Sequence, residues 1–140
     1  MNARFSDPLG VVTGAALAAS ALAIGCGGER HFEAEEFITA ANDQGAGFVL
    51  GTPLSTSLPD REIYVLELSA QAASGTPVGG GGSVVITENE ETGRAEHARC
   101  ESAATLLCYR ASNVVVELED ALTPDSRRRV DEAFSGLARE

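Results

Sequence analysis

The sequence predicts an α+β domain with helices packed on one face of an antiparallel sheet, in the order α-β-β-β-α-β-β-α. Two observations carry this reading. Short runs rich in Val, Ile, Leu and Tyr recur at 46–50, 63–68, 83–86, 106–110 and 114–118, mostly bounded by Gly, Pro, Asn, Asp or Ser, as strands are. Between and around them lie segments whose apolar residues fall at helical spacing, and the short connections favour hairpins over parallel crossovers.

From Glu29 the pattern turns helical, with Ala34, Phe37, Ile38 and Ala41 at i, i+3, i+4 and i+7 forming one apolar stripe. Glu33, Glu35 and Glu36 suit the positive end of the helix dipole, and Gly45 is positioned to stop the helix. The run 46–50 is the first strand. Gly51, Pro53, Pro59 and Asp60 punctuate a loop, after which Tyr64, Leu66 and Leu68 alternate onto one face of a second strand. Residues 70–82 read as a glycine-rich loop. No Gly-Lys-Ser/Thr follows its Gly79–Gly82 run, so it is not a phosphate cradle.

Residues 83–86 form the third strand, and Thr87 with Glu90 has the spacing of a capping box opening a second helix. Gly93 interrupts that helix, and its apolar face is the small residues Ala95, Ala98 and Ala103. Strands at 106–110 and 114–118 flank a tight Ala111-Ser112-Asn113 turn, where Asn tolerates the left-handed conformation. Thr123-Pro124 caps a third helix, continued by Val130, Phe134 and Leu137 at i, i+4, i+7.

The amino-terminal region is of another kind. Arg4 precedes an uncharged run from Leu9 to Gly25 with small residues at its exit, the layout of a secretory signal. Crossing a bilayer takes roughly 20 apolar residues, so an uncleaved membrane helix is the alternative. The end of the run, Ala21-Leu22-Ala23-Ile24-Gly25-Cys26, resembles the signal of bacterial lipoproteins. That resemblance implies cleavage before Cys26, palmitate-type acylation of Cys26, and attachment to the extracytoplasmic face of the cell membrane. The expected organisation is a signal peptide at 1–25, a short tether at 26–31 and a single domain at 32–140. The later part of the chain is similar to small uncharacterised lipoproteins of high-GC Gram-positive bacteria, especially at Arg99-Cys100, Leu106-Leu107-Cys108-Tyr109-Arg110 and Asn113-Val114-Val115-Val116. It brings no known activity with it.

Net charge is −11, and because Arg4 and Asp7 cancel, all of it belongs to residues 26–140. Nucleic-acid affinity rests largely on phosphate neutralisation, so no nucleic acid is expected as a partner. The expected partners are the membrane, through the anchor at Cys26, and another envelope protein. The chain contains no Lys, which excludes Schiff-base chemistry and a phosphate-loop lysine. With Cys26 assigned to lipid by the resemblance, Cys100 and Cys108 remain as a pair in an oxidising compartment, where a disulfide is expected. His97, Cys100 and Cys108, with Glu96 or Glu101 as a fourth group, are the alternative zinc set. Zinc sites carry more cysteines at closer spacing, and a secreted thiol pair oxidises first.

No catalytic residue, metal or cofactor is assigned from the sequence. His31 is expected near the anchor rather than in a formed pocket, which leaves His97 as the candidate base beside Ser102, Asp120 or Asp125, with no Gly-x-Ser-x-Gly turn to present a serine. Glu88, Glu90 and Glu91 lack the spacing of a calcium loop. Arg127, Arg128 and Arg129 are spread around a helix, with Arg127–Asp131 and Arg128–Glu132 as i, i+4 pairs. The expected function is a lipid-anchored interaction or ligand-binding module of the cell envelope. The alternative is an envelope enzyme using His97 and a carboxylate.

Overall fold

The computed structural model of the chain describes residues 30–54, 58–69, 81–119 and 122–139. Its elements run α1 (Ala34–Asp43), β1 (Phe48–Leu54), β2 (Arg61–Leu68), β3 (Gly82–Thr87), α2 (Glu90–Glu101), β4 (Leu106–Ala111), β5 (Val114–Glu119) and α3 (Pro124–Leu137). The α+β class and the element order are as the sequence predicts. The strands form one antiparallel sheet in the order β1-β2-β3-β5-β4. Cys26, the signal-like run, most of the glycine-rich loop and Asp120 lie outside the described residues.

Strand periodicity sorts the sheet into two faces. Leu66, Val84, Ile86, Val114, Val116 and Leu118 share one face, and with Phe48 and Leu68 they meet Phe37 and Ala41 of α1 and Val130, Ala133 and Phe134 of α3 in a continuous core. Phe37 is its centre, with ring centroids 5.8 Å from Phe32, 6.3 Å from Phe48 and 6.0 Å from Phe134. Phe32, where the domain was expected to begin, is already part of this core. The other face carries Arg61, Val85, Cys108, Val115 and Glu117, and α2 lies across it. The expectation of helices on one face therefore holds for α1 and α3, while α2 takes the opposite side.

α2 corrects the sequence reading in two further respects. Asn89, not Thr87, is its N-cap, accepting from the Thr92 N–H at 2.9 Å. Thr87 ends β3 and donates its hydroxyl to the Asn113 and Asn89 carbonyls. The helix faces the sheet with Gly93, Glu96 and Cys100, whereas Ala95 and Ala98 are exposed and Ala103 lies beyond its end. Gly93 does not break the helix but lets it approach: a Cβ there would stand 2.8 Å from the Ser112 carbonyl oxygen and 3.2 Å from the Asn113 Cα. Gly93→Ala gains about 1 kcal/mol of helix propensity but overpacks against backbone that has little room to move. The expected net result is a loss of about 1–2 kcal/mol, read as a lower urea midpoint; a gain in stability would show that α2 stands off the sheet.

Boundaries shift where tertiary contacts extend a local signal. β1 runs on to Leu54 through an irregularity between Leu50 and Pro53, and β3 takes in Gly82 from the predicted loop. α1 begins at Ala34 rather than Glu29 and ends before Gly45, whose φ of +91° suits glycine. In the β4–β5 turn the positive φ belongs to Ser112, at +52°, and not to Asn113. Asn113 is instead buried, holding Phe32 and Thr87 through its side chain. The exposed edge of β1 is also managed: the Asn42 side chain accepts from Phe48 N–H at 2.7 Å and donates to its carbonyl at 2.9 Å, as a neighbouring strand would.

Tyr109 of β4 stacks on Phe134 at 4.9 Å and donates to Asp131 of α3 at 2.6 Å. Burial first, and then this bond to a carboxylate, push its phenol well above the usual range. An unfolded tyrosine ionises near pH 10, so the proton retained in the folded state gives stability that is present below that pH and lost as pH rises above it. Between about pH 9 and 11 the urea midpoint is expected to fall, with a shallower fall in Tyr109→Phe. Equal slopes in the two proteins would locate the alkaline sensitivity elsewhere.

Candidate functional site

The densest chemistry in the described residues lies between α2 and the second face of the sheet. Helical spacing turns Glu96 and Cys100 toward the sheet, and register places Cys108 of β4 opposite Glu117 of β5. Cys100 and Cys108 form a disulfide with a Cα–Cα distance of 5.9 Å, inside the ordinary range. Glu96 is 3% exposed and accepts hydrogen bonds from Arg61 at the start of β2 and from Arg99 Nε at 2.8 Å. Arg99 also reaches Glu117 at 2.6 Å, and Arg61 holds Asp60 at 3.1 Å. The result is a chain of alternating charge, Asp60–Arg61–Glu96–Arg99–Glu117. Arg110 extends the ionic contacts at the other end of α2, pairing with Glu90 at 3.2 Å.

A buried carboxylate is tolerated only when paired and hydrogen-bonded, which two guanidinium groups accomplish for Glu96. The Arg61 hydrogen bond holds the Asp60 carboxyl below its ordinary range. Burial pushes Glu117 upward, partly offset by Arg99. Among the described residues, no buried side-chain nitrogen or oxygen lacks a partner. The cluster is thus an internally satisfied brace between α2 and the sheet, with its acidic and basic groups committed to one another.

The residues singled out from sequence fall differently around this brace. His97 lies on α2 with Nε2 3.4 Å from the Cys108 carbonyl oxygen and Nδ1 3.6 Å from Glu101. Ser102 donates to the Arg99 carbonyl at 2.6 Å, and Asp125 sits on α3 with Arg128 at 3.3 Å, so neither of them is brought to His97 by these contacts. Both cysteine sulfurs are bonded to each other and offer no thiolate to zinc in this state. Among the described residues, no group of three or more His, Cys, Asp or Glu side chains is arranged to hold a metal ion. Glu90 pairs with Arg94 and Arg110. Arg128 pairs with Asp125 and, at 3.7 Å, with Glu132, whereas Asp131 takes the Tyr109 hydroxyl.

Arg61, Glu96, Arg99 and Glu117 were not singled out as a group by the sequence. A signal existed for Glu117, a carboxylate set among Val114, Val115, Val116 and Leu118, where strand alternation puts it on the side opposite the core. Glu96 and Arg99 also have helical i, i+3 spacing. Nothing local joins either to Arg61, which lies 35 positions from Glu96 in the chain.

Open hollows among the described residues include the following three. One, of about 340 Å³, is lined by His31, Glu33, Asp60, Arg61, Glu62 and Glu88 among others, so His31 lies in a formed concavity, contrary to expectation. Another, of about 370 Å³, lies over Val65, Gly82 and Ser83 between Leu106 and the carboxylates of Glu117 and Glu119. The third lies along α1 at Arg30, Glu36, Thr39 and Asp43. His97 lines none of these three. Comparison with known proteins found no matching family model, no matching curated protein and no matching solved structure.

Proposed function

We propose that this chain is a lipid-anchored extracytoplasmic protein, acylated at Cys26, whose domain serves as a small interaction module of the cell envelope. The observation that carries the reading is the Cys100–Cys108 disulfide in a chain whose uncharged run ends at a third cysteine. Structural disulfides persist in oxidising compartments, which agrees with export, and more than one acyl chain is needed for stable attachment, as the lipoprotein-like signal implies. A net charge of −11 disfavours nucleic acid and anionic headgroups as partners of the domain itself. Exposed Val49 and Leu54 on edge strand β1, with Leu58 beyond it, supply apolar side chains suited to another envelope protein.

Two measurements test the two halves of this reading. Cys26→Ser abolishes labelling by a fatty-acid analogue and leaves an unprocessed precursor; equal labelling of the variant overturns the anchor. A photocrosslinker at position 49 in intact membranes gives a discrete protein adduct, which is lost when Leu54 is replaced by Glu, whereas a crosslinker at Glu132 on α3 gives none. Adducts from position 132 but not from 49 overturn the assignment of β1 as the contact.

A further inference from the structure

We propose that the Cys100–Cys108 disulfide is a redox latch, holding α2 over the second face of the sheet and releasing it as a unit when reduced. The inference is independent of acylation at Cys26, so either can fail while the other stands.

The contrast among the three helices carries it. α1 buries Ala34, Phe37 and Ala41, and α3 buries Val130, Ala133 and Phe134, all within the core. α2 buries Gly93, Glu96 and Cys100 and contributes nothing to that core. Gly93 and Glu96 supply almost no apolar surface, so the hydrophobic contact beneath α2 is reduced to Cys100 on the helix and Val85 and Val115 on the sheet, well short of what fixes α1 and α3. The other ties are the bridge, the Arg61–Glu96–Arg99–Glu117 ion pairs, the Glu90–Arg110 pair, the Thr87 hydroxyl on the Asn89 carbonyl and His97 Nε2 at 3.4 Å from the Cys108 carbonyl oxygen. Arg99 is 57% exposed, so its share of that attraction is weakened by water and salt. A helix of this length is marginal without tertiary support. On opening, Glu96 regains water rather than being stranded, while Val85 and Val115, now buried on the α2 side, become wet. The main core on the other face is left intact.

The two cysteines are unequally buried. As residues, Cys100 is fully buried and Cys108 half-buried, so the open side for an incoming thiolate is that of Cys108. A dithiol reductant attacks there, the S–S bond breaks, and the Cys100 sulfur leaves as a thiolate that takes up a proton. The second thiol of the reductant then displaces the Cys108 thiolate, which is protonated in turn as the reductant closes its own disulfide. Two electrons and two protons pass to the cysteine pair.

The test is hydrogen exchange across the full chain carrying Cys26→Ser, so that only the pair responds to dithiothreitol. Reduction is expected to speed exchange at 90–101 by roughly 10- to 100-fold, the scale set by the entropy of a short disulfide loop. Exchange in β2, β3 and β5 should change by less than about threefold. The double variant Cys100→Ser, Cys108→Ser should show the same pattern without reductant. Unchanged exchange at 90–101 would mean that the non-covalent contacts hold the helix without the bridge. Loss of protection throughout the sheet would make the bridge a staple of the whole fold, and a bridge still oxidised in excess dithiothreitol would not be a switch. Each of these overturns the latch.

Discussion

Phe37→Ala is expected to lower the unfolding free energy by about 3–5 kcal/mol, enough to threaten folding altogether in a domain of ordinary marginal stability. Phe37 is 0% exposed and stands between Phe32, Phe48 and Phe134, so truncation removes the transfer energy of the ring and leaves a cavity that three aromatic neighbours cannot fill together. The same side chain joins α1 to α3 and to the start of β1. Urea unfolding followed by far-ultraviolet dichroism measures the loss. Phe37→Leu, which keeps more of the volume, is expected to cost about half as much. A loss below about 1 kcal/mol in Phe37→Ala would mean that the core collapses onto the site or that α1 is loosely held.

Asn113→Ala is expected to destabilise by about 2–4 kcal/mol, although it removes very little apolar surface. Its amide accepts from the Phe32 N–H at 2.8 Å and donates to the carbonyls of Phe32, at 3.0 Å, and Thr87, at 3.1 Å. Alanine strands these buried groups, each at the desolvation cost of an unmade hydrogen bond. Phe32 should then detach before the rest of the domain, which exchange at its own amide would report. Asn113→Asp separates polarity from satisfaction: a carboxylate still accepts from Phe32 but faces two carbonyl oxygens, and is expected to cost as much as alanine. Near-neutral stability in both variants would show that water takes over the role of the amide.

Both residues illustrate how far the sequence reached. Phe37 was legible because it sits in an i, i+3, i+4, i+7 stripe, and a stripe of that width needs a core whatever its partners are. Asn113 has the local signal of a turn residue, since Asn in a short hairpin connection ordinarily serves the local backbone. Its actual partner, Phe32, is 81 positions away. Thr87 departs from its local signal for a related reason: its spacing to Glu90 fits a capping box, but its hydroxyl donates to the Asn113 and Asn89 carbonyls, and Asn89 caps the helix instead.

By itself the sequence determined the α+β class, the order of the eight elements, the face of β2 that meets the core and the pairing of Cys100 with Cys108. The first three follow from periodicity and turn chemistry, which act over a few residues; the pairing follows once the resemblance to lipoprotein signals sets Cys26 apart from the other two cysteines. Only the tertiary structure decided the strand order β1-β2-β3-β5-β4, the crossing of α2 to the second face, and the union of Asp60, Arg61, Glu96, Arg99 and Glu117 in one brace. The physical reason lies in the small amphipathic signal of α2. With glycine, glutamate and cysteine as its inward residues, no apolar stripe announced which surface it would cover, and its place was set by charges and a covalent bond whose partners lie on other strands.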